Sequence, residues 1–358
     1  MRDLATVLAG VVGDRTSAMD AAVPTVAGRT LTERVTLVRD ALLADLPDGY
    51  RAFAGVVRSA LGDPAFDRWM IWPVTEAVAV RALDGTAEHF KDGLDLLAAL
   101  TPRLTSEFAV RHFLRVDLPT VLEVAHDWTE SADAKVRRLA TEGTRPLLPW
   151  AKRVPALLTD PAATGPLLDR LYLDPDEGVR RSVANHINDV SRLDSGVAVS
   201  ATRRWTSATP DEHTTRLVRH ALRTLVKAGD RDALAQLGIG DGAAVTVDEL
   251  ALHTPSVPIG DALEFTATLT NTGERSERVV VDYVIHHRKA DGSLRPKVFK
   301  LSNRTLGAGE TVRIRRRHSF QVVTTRVYRT GDHLIELQVN GVRRDRREFR
   351  LEPPLGAG

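Results

Sequence analysis

Two kinds of hydrophobic pattern divide this chain. Between residues 31 and 237, apolar side chains recur three and four positions apart, which is the spacing of one face of an α-helix. Short connections that contain Pro, Gly or Asp separate these segments, as in paired helices. The pattern predicts helices at 32–46, 50–61, 67–82, 87–100, 106–115, 118–128, 133–145, 164–172, 176–192, 211–228 and 230–236.

Beyond about residue 257 the apolar positions alternate with a period of two, as they do in half-buried β-strands. Leu263 and Phe265, for example, share one face of a strand. Asp291-Gly292 and Asn340-Gly341 are residue pairs that tight hairpin turns prefer. The pattern predicts a small antiparallel β-sandwich of the immunoglobulin-like type, with strands near 261–270, 278–288, 296–301, 310–320, 332–340 and 346–352.

One helical phrase occurs twice in the first part of the chain. Residues 131–150 and 174–189 each begin with short polar residues and run into Val-Arg-Arg, at Val136 and Val179. These two valines are 43 residues apart, and Val218 opens a related Val-Arg-His phrase 39 residues later. HEAT and armadillo repeats are about 40–47 residues long. The spacing therefore predicts an α-solenoid.

The two patterns together predict a mainly α protein in which a HEAT-like α-solenoid is followed by a small antiparallel, immunoglobulin-like β-sandwich. A length of 358 residues is sufficient for two such domains. The predicted division is a weakly ordered N-terminal segment (1–30), a HEAT-like repeat domain (31–240), a linker (241–256) and a basic immunoglobulin-like domain (257–356).

Composition limits the possible chemistry. The chain contains no cysteine, which excludes disulfides, thiolate catalysis and cysteine-bound zinc. No apolar run approaches the roughly 18 residues of a membrane span, and no signal-peptide pattern is evident, so we expect a cytoplasmic protein. The net charge of +2 hides an asymmetry, because residues 255–358 carry 19 Lys and Arg against 12 Asp and Glu. This basic part favours a polyanionic partner.

Charged residues of the repeated phrase fall on one face of their helices. Arg138, Glu142 and Arg145 stack at positions i, i+4 and i+7 of a helical wheel, opposite an apolar face. In the second phrase, Asp189 shares a polar face with Ser182. Stripes of this kind are usually solvated salt bridges, each worth about 0.3–0.5 kcal/mol. Periodicity alone therefore favours a structural role for Glu142.

The exact residues of these phrases indicate more than periodicity does. Arg-Arg-Leu-Ala-Thr-Glu-Gly-Thr-Arg-Pro (137–146) and Val-Arg-Arg-Ser-Val-Ala-Asn-His-Ile-Asn-Asp (179–189) closely resemble the AlkC branch of the AlkC/AlkD family of DNA alkylation-repair glycosylases. Ser-Glu-Phe-Ala-Val-Arg (106–111) shares this resemblance, which covers most of residues 35–205. Segments such as 281–287 resemble the immunoglobulin-like domain that only some members carry.

The resemblance implies a monofunctional DNA N-glycosylase. Such an enzyme excises positively charged N-alkylated bases, such as 3-methyladenine and 3-methylcytosine, from duplex DNA without fully flipping the base out. A cationic base is already an activated leaving group, so electrostatic stabilisation of the oxocarbenium-like sugar is the main requirement. The resemblance also implies a nucleoid-associated monomer that needs no metal or cofactor.

Carried over residue by residue, the resemblance makes Glu142 the leading candidate for sugar stabilisation and water activation. Glu107 and Asp189 are its acidic neighbours in the same cleft. Trp150 is the aromatic wall, where a cation–π contact is worth about 0.5–2 kcal/mol. Basic residues must surround an acidic centre that approaches DNA, and the candidates are Arg138, Arg145, Lys152, Arg180, Arg181, Lys297, Lys300, Arg315, Arg316 and Arg317.

A second hypothesis remains open. Because α-solenoids commonly serve as binding surfaces, the chain could be a non-catalytic HEAT-repeat protein that binds DNA or scaffolds other proteins. Likewise, the arginine-rich strand at 313–317 is either a phosphate-binding surface or a solvated edge strand protected by charge. The acidic centre discriminates between the two functions, because a scaffold does not require Glu107, Glu142 and Asp189 beside Trp150.

The glycosylase hypothesis predicts that Glu142→Gln and Trp150→Ala lower the release of bases from methylated DNA with little change in thermal stability. Free bases released by purified protein provide the activity measurement, and thermal unfolding provides the control. An equal loss of fold in both variants would favour the structural role.

Overall fold

The computed structural model describes residues 2–13, 16–240, 244–324 and 326–354. The chain divides into two compact units, Met1–Ala221 and Leu222–Gly358. The first unit is built from helices, and the second consists mainly of β-strands. The predicted fold class is confirmed.

Paired helical layers form the first unit. In one layer Ala134–Glu142 (α9) packs against Glu177–Val190 (α12), which in turn packs against Glu212–Ala221 (α14). In the other layer Gly165–Leu171 (α11) contacts Leu118–Trp128 (α8) and Ser195–Ala208 (α13), as in a HEAT-like stack. Within the described ranges, no helix is long and apolar enough to cross a lipid bilayer. The helices are α1 (Arg2–Val12), α2 (Ser17–Ala22), α3 (Leu31–Asp45), α4 (Tyr50–Ala60), α5 (Ile71–Leu83), α6 (Ala87–Leu100), α7 (Val110–Val116), α8 (Leu118–Trp128), α9 (Ala134–Glu142), α10 (Pro155–Thr159), α11 (Gly165–Leu171), α12 (Glu177–Val190), α13 (Ser195–Ala208) and α14 (Glu212–Ala221).

In the structure, each copy of the repeated phrase supplies an aspartate that caps its helix and an arginine that binds the preceding loop. Asp133 caps α9 and Asp176 caps α12, and each carboxylate accepts a backbone N–H of the first turn. Arg137 and Arg180, the first arginine of each Val-Arg-Arg, donate to carbonyls of the loop before their own helix. The phrase therefore fixes where each helix of this layer begins.

Most of the described residues of the N-terminal segment (1–30) are helical, and its weak order stays a prediction. Leu4 and Leu8 of α1 are buried, and α1 packs against α4. The carboxylate of Asp45 in α3 accepts two backbone N–H groups at the start of α2, both at 2.8 Å. The apolar N-terminal stretch is thus anchored to the first repeats, and its hydrophobic face is covered by helices distant in sequence.

Some helices differ from the pattern-based prediction. The predicted 133–145 helix ends at Glu142, and the predicted 211–228 helix is interrupted after Ala221. Four helices, α1, α2, α10 and α13, were not predicted. The buried face of α13 includes small residues such as Ala198 and Ala201, so it lacks the strong hydrophobic period that marks the other helices.

Two sheets pack face to face in the second unit, with a core that includes Phe265, Tyr283, Ile285 and Leu337. One sheet has the order β1-β3-β6 and the other β2-β8-β7-β4-β5, with antiparallel neighbours except for the parallel β2–β8 pair. The elements are α15 (Arg223–Ala228), α16 (Arg231–Gln236), β1 (Val245–Leu252), β2 (Ser256–Pro258), β3 (Ala262–Asn271), β4 (Glu277–Arg288), β5 (Leu294–Leu306), β6 (Thr311–Ser319), β7 (Gly331–Val339) and β8 (Val342–Glu352).

The predicted linker at 241–256 needs correction, because much of it is strand. β1 pairs with β3 along its length, and Leu250 is buried in the sandwich core. Residues 241–243 of that linker, and 355–356 at the end of the predicted β-domain, lie outside the described residues. The boundary between the two compact units also comes earlier than predicted, since α15 and α16 belong to the second unit.

The predicted turn at Asn340-Gly341 is confirmed, with φ angles of 47° and 80° between the paired residues that end β7 and begin β8. This turn also approaches α15 very closely. A Cβ atom on Gly341 would lie 1.9 Å from the Cα of Gly229, the glycine that follows α15. Glycine is therefore required here both for its backbone conformation and for its lack of a side chain.

We expect Gly341→Ala to destabilise the second unit by clearly more than Gly309→Ala. Gly309 also has a positive φ of 68°, but an added Cβ there meets no described atom within 4 Å. Gly309→Ala should therefore cost only the left-handed conformation, about 1–2 kcal/mol. Urea unfolding of the full chain measures both variants, and equal destabilisation would contradict the close approach.

Candidate active site

The three acidic side chains predicted for the site are joined in one network. Glu142 contacts Arg138 at 3.4 Å and Arg145 at 2.6 Å. Arg138 also contacts Glu107 at 3.3 Å, and Arg145 holds Asp189 through Nε at 2.9 Å and Nη2 at 3.2 Å. Negative and positive groups therefore alternate in the order Glu107, Arg138, Glu142, Arg145, Asp189, which we call the acid network.

The acid network forms where successive repeats meet. Glu142 is the last residue of α9, Asp189 lies in the last turn of α12, and Glu107 precedes α7. Ser182 of α12 donates a 2.7 Å hydrogen bond to Glu142 Oε2 and accepts one of 2.6 Å from Thr141 of α9. Because serine is small, its hydroxyl lets the two helices approach closely while satisfying a buried carboxylate.

Most of the acid network is buried. The side chains of Glu142, Arg145 and Asp189 are 7%, 9% and 6% exposed, and that of Glu107 is 13% exposed. Arg138, at 35%, is its most accessible member. This burial corrects the expectation that Glu142→Gln leaves thermal stability almost unchanged, because removing one charge of a buried pair leaves the other uncompensated.

The environments of two acids push their pKa values in opposite directions. Burial alone would raise the pKa of Glu142, but the charges of Arg138 and Arg145 and the hydrogen bond from Ser182 outweigh burial and hold it below 4.5. Burial raises the pKa of Glu107 above 4.5, because Arg138 offsets it only in part and the charge of Glu142 adds to it. Such divergence is common where two carboxyl groups have different chemical tasks.

Trp150 lies on the loop that follows α9 and is 95% exposed. Its φ of 62° is unusual for a bulky residue. Arg111 of α7 holds this loop, since its Nε donates to the carbonyl of Lys152 at 2.7 Å and its Nη1 to that of Arg145 at 2.8 Å. The indole is thus presented to solvent on a fixed loop that begins at the acid network.

The predicted DNA-binding residues of the first unit fall into two groups. Lys152 and Arg181 are exposed, with Arg181 paired to Glu177 at 2.6 Å on the surface of α12. Arg145 is committed to the acid network through all three side-chain nitrogens, and Arg180 clamps a loop. The structure therefore places Arg145 in a buried ion-pairing position, where each of its side-chain nitrogens already donates to a carboxylate.

In the β-domain the predicted basic residues lie on β5 and β6. Lys297 and Lys300 are exposed on β5. Arg315 and Arg317 pair with carboxylates of β3 and the preceding turn, at 2.7 and 2.9 Å. Arg316 alternates with them and lies on the other face of the strand, opposite Phe265 in the register.

Sequence reasoning missed the residues that support the acid network. His186 is fully buried between Thr164 and the carbonyl of Thr141, and burial lowers the pKa of His186 to about 4, so it is neutral at physiological pH. Arg111 could have been identified, because it belongs to the 106–111 phrase. Among the described residues, no three His, Asp or Glu side chains are arranged so that they could hold a metal ion.

Helical repeats with an appended immunoglobulin-like domain define a recognisable class of protein. Residues 246–353 match a family profile described as "Uncharacterised protein YhaZ, C-terminal Ig-like domain". The chain is 35% identical over 263 residues to "Uncharacterized protein YhaZ" of Bacillus subtilis (strain 168), a match that covers 74% of this chain and 72% of the relative.

A solved structure extends the match to nearly the whole chain. It is the Pseudomonas fluorescens alkylpurine DNA glycosylase AlkC bound to DNA containing an abasic site analogue. The similarity has a TM-score of 0.89 at 32% identity and covers 98% of this chain and 96% of that one. The chain belongs to the AlkC family and carries its immunoglobulin-like domain.

The opposite pKa shifts predict opposite effects on stability. Glu142, whose pKa is lowered on folding, adds stability that is present above pH 4.5 and lost as the pH falls through the folded-state pKa. Glu107, whose pKa is raised, adds stability below pH 4.5 that is lost as the pH rises through its folded-state pKa. At pH 7, Glu142→Gln should cost about 1.5–3 kcal/mol, whereas Glu107→Gln should be neutral or stabilising.

Urea unfolding at pH 7 and at pH 4 measures both effects. The deficit of Glu142→Gln should be smaller at pH 4 than at pH 7, because pH 4 lies below the ordinary carboxyl pKa of 4.5 and the unfolded wild-type chain then takes up a proton that the folded chain disfavours. Equal destabilisation by the two variants at pH 7 would contradict the divergence.

Proposed function

We propose that this protein is a DNA glycosylase that excises cationic N-alkylated bases, such as 3-methyladenine and 3-methylcytosine, from duplex DNA. The observation that carries the proposal is the acid network, which gathers Glu107, Glu142 and Asp189 in a chain of the AlkC family. The AlkC structure named above contains an abasic site analogue, and an abasic site is what base excision leaves.

The charge of the acid network suits a cationic substrate. Three carboxylates and two guanidiniums give it a net negative charge when all are ionised. A clamp between repeats would need only as many carboxylates as arginines, and excess negative charge would repel DNA phosphates. A positively charged base and a developing oxocarbenium ion provide the compensating charge, which favours the enzyme over the scaffold hypothesis.

In the proposed reaction the bond between C1′ and the base nitrogen breaks first. Its electron pair leaves with the base, which becomes neutral, and positive charge develops on the sugar. Water adds to C1′ and loses a proton, which gives an abasic site. Because the alkylated base already carries a positive charge, no general acid is needed for its departure, and the base need not be fully extruded.

The divergent pKa values suggest a division of labour. Glu142, held ionised by Arg138 and Arg145, is suited to stabilise positive charge on the sugar. Glu107, with its raised pKa, is the better base for the proton that water loses. Asp189 acts as a positioning residue, since it fixes Arg145. The acid network contains no lysine, so we propose a monofunctional enzyme that uses water rather than an amine.

Exposed basic residues of each unit are proposed to contact DNA phosphates. In the first unit these are Lys152, and Arg138 and Arg181 once they leave their ion pairs, together with the exposed Trp150 near the base. In the β-domain, Lys297, Lys300 and Arg316 are the candidates, while Arg315 and Arg317 first have to leave their ion pairs. Contacts of this kind position the duplex without selecting a sequence.

Glu142→Gln should lower single-turnover release of 3-methyladenine from methylated duplex DNA by about 10²- to 10³-fold, the usual cost of losing one pre-organised electrostatic group. Trp150→Ala should lower it by roughly 2- to 30-fold, the value of a cation–π contact. Rates are measured at equal concentrations of folded protein, because Glu142 is also expected to affect stability.

Asp174→Asn provides the matched control. Asp174 is a buried acid that holds Arg137 through both oxygens, at 2.6 and 3.0 Å, and it lies outside the acid network. Its variant should be destabilised to a similar extent and yet keep the wild-type rate per folded molecule. A comparable loss of rate in Asp174→Asn and Glu142→Gln would instead support a purely structural role for Glu142.

The salt dependence of DNA binding tests the β-domain. The double variant Lys297→Gln/Lys300→Gln should lower the slope of log affinity against log salt concentration by about 1.8, because each phosphate contact contributes roughly 0.9. Arg204→Gln, on the exposed surface of α13, is the control and should leave the slope unchanged. An unaltered slope in the double variant would contradict phosphate contacts by Lys297 and Lys300.

A further inference from the structure

An aromatic cavity shares Trp150 and Lys152 with the site proposed above, but its other lining residues have no part in the reaction outlined there. Trp72 of α5 stacks on Phe108, with ring centroids 4.7 Å apart and an interplanar angle of 17°. The exposed Trp150 lines the same cavity, whose volume is about 410 Å³. This volume falls within the range of small-molecule sites, roughly 300–1,000 Å³. We refer to it as the aromatic cavity.

A buried cation in the wall of this cavity has an unused donor. Arg111 is only 2% exposed, and its Nε and Nη1 donate to backbone carbonyls. Its Nη2 is buried and has no hydrogen-bond partner among the described residues. A buried charged donor without a partner is costly, so the uncompensated charge of Arg111 favours an anion in the neighbouring cavity.

The charges around the cavity favour an anionic ligand. Its lining includes Arg39, Arg111, Arg115 and Lys152, and Arg115 and Lys152 are exposed at the surface. Glu76 is the acidic residue of the lining, and its Oε2 lies 2.9 Å from His112 Nε2, which shields it from a ligand. A cationic base is therefore suited to the acid network and not to this cavity.

A nucleotide combines the two properties that the aromatic cavity recognises. Its base offers a flat face for stacking on indole and phenyl rings, and its phosphate offers oxygens for guanidinium and ammonium groups. Sites for unpaired nucleotides in DNA-binding proteins are commonly built in this way. The neighbouring acid network supplies a reason for an unpaired nucleotide, since removal of a base leaves adjacent nucleotides without full stacking or pairing.

We propose that the aromatic cavity is a subsite for an unpaired nucleotide of the DNA strand, next to or opposite the nucleotide under repair. The base stacks on the wall formed by Trp72 and Phe108. The phosphate is held by Arg115, with Lys152 at the rim, and the buried charge of Arg111 adds to the positive potential of the cavity. The inference rests on the proposed function for the identity of the polymer but not for the chemistry of the ligand.

Two fluorescent probes distinguish a strand nucleotide from a free one. The first is the 5′-monophosphate of 2-aminopurine deoxyriboside, whose emission is quenched when it stacks on indole. The second is a duplex with a tetrahydrofuran abasic analogue and 2-aminopurine placed in turn on each side of it and opposite it. Full-length Glu142→Gln protein is used beside wild type, so that the result does not depend on catalysis.

We expect binding of wild-type protein to change the duplex emission at one 2-aminopurine position. Trp72→Leu should abolish that change, and Trp72→Phe should restore part of it, because an aromatic face is what the site requires. Arg115→Gln should weaken binding of the same duplex by roughly threefold or more, since an exposed cation is lost from the phosphate site. Arg204→Gln is the matched control for an exposed arginine.

Each possible result of these binding experiments either supports or overturns the subsite. A duplex signal that depends on both Trp72 and Arg115 supports the subsite, whether or not base release is observed. If Trp72→Leu removes the emission change of the free monophosphate but not that of the duplex, the strand nucleotide is overturned as the occupant. Equal emission from wild type and Trp72→Leu in both arms, with Arg115→Gln also unaltered, would overturn the subsite itself. Because Arg115 is exposed, its variant remains informative if Trp72→Leu proves unstable.

Discussion

The architecture of the site depends on one shared guanidinium. Arg145, at the end of one repeated phrase, holds Glu142 of its own repeat and Asp189 of the next, so a single cation joins two repeats and orients two acids. Burial of all three groups makes the contact strong only while all three are present. The same ion pairs fix where α9 stops, place Glu142 beside Ser182 and determine where the Trp150 loop departs.

An acidic centre must operate within a protein that also attracts a polyanion. Burial resolves this conflict, because Glu142 and Asp189 are nearly inaccessible and Arg138 is the network member most open to solvent. A phosphate approaching from solvent therefore meets positive charge first. The negative charge acts at short range, where the low dielectric of the site strengthens its effect on a cation. The charged residues that line the aromatic cavity are mainly basic, and we therefore propose an anionic ligand there and a cationic base at the acid network.

The sequence predicts the helical face that carries Arg138, Glu142 and Arg145, because positions three and four apart necessarily meet on a helix. It does not predict that Arg145 reaches Asp189 or that Arg111 supports the Trp150 loop, since these contacts cross repeats and depend on superhelical packing. The local hydrophobic pattern also fails to predict a helix whose packing partners are distant in sequence, as for α1 with its buried Leu4 and Leu8. It likewise fails to predict α13, whose buried face is made of small residues. The hairpin turn at Asn340-Gly341 was predictable because its geometry is local.

The central claim is that the arginines keep Glu142 ionised while burial raises the pKa of Glu107. Nuclear magnetic resonance of protein labelled with carbon-13 at the glutamate side-chain carboxyl groups measures this directly, with Glu142→Gln and Glu107→Gln used to assign the two signals. The account predicts that the Glu142 signal titrates below pH 4.5, that the Glu107 signal titrates above it, and that Arg138→Gln moves the Glu142 midpoint upward. Two signals that titrate together near 4.5, or a Glu142 midpoint indifferent to Arg138, would contradict it.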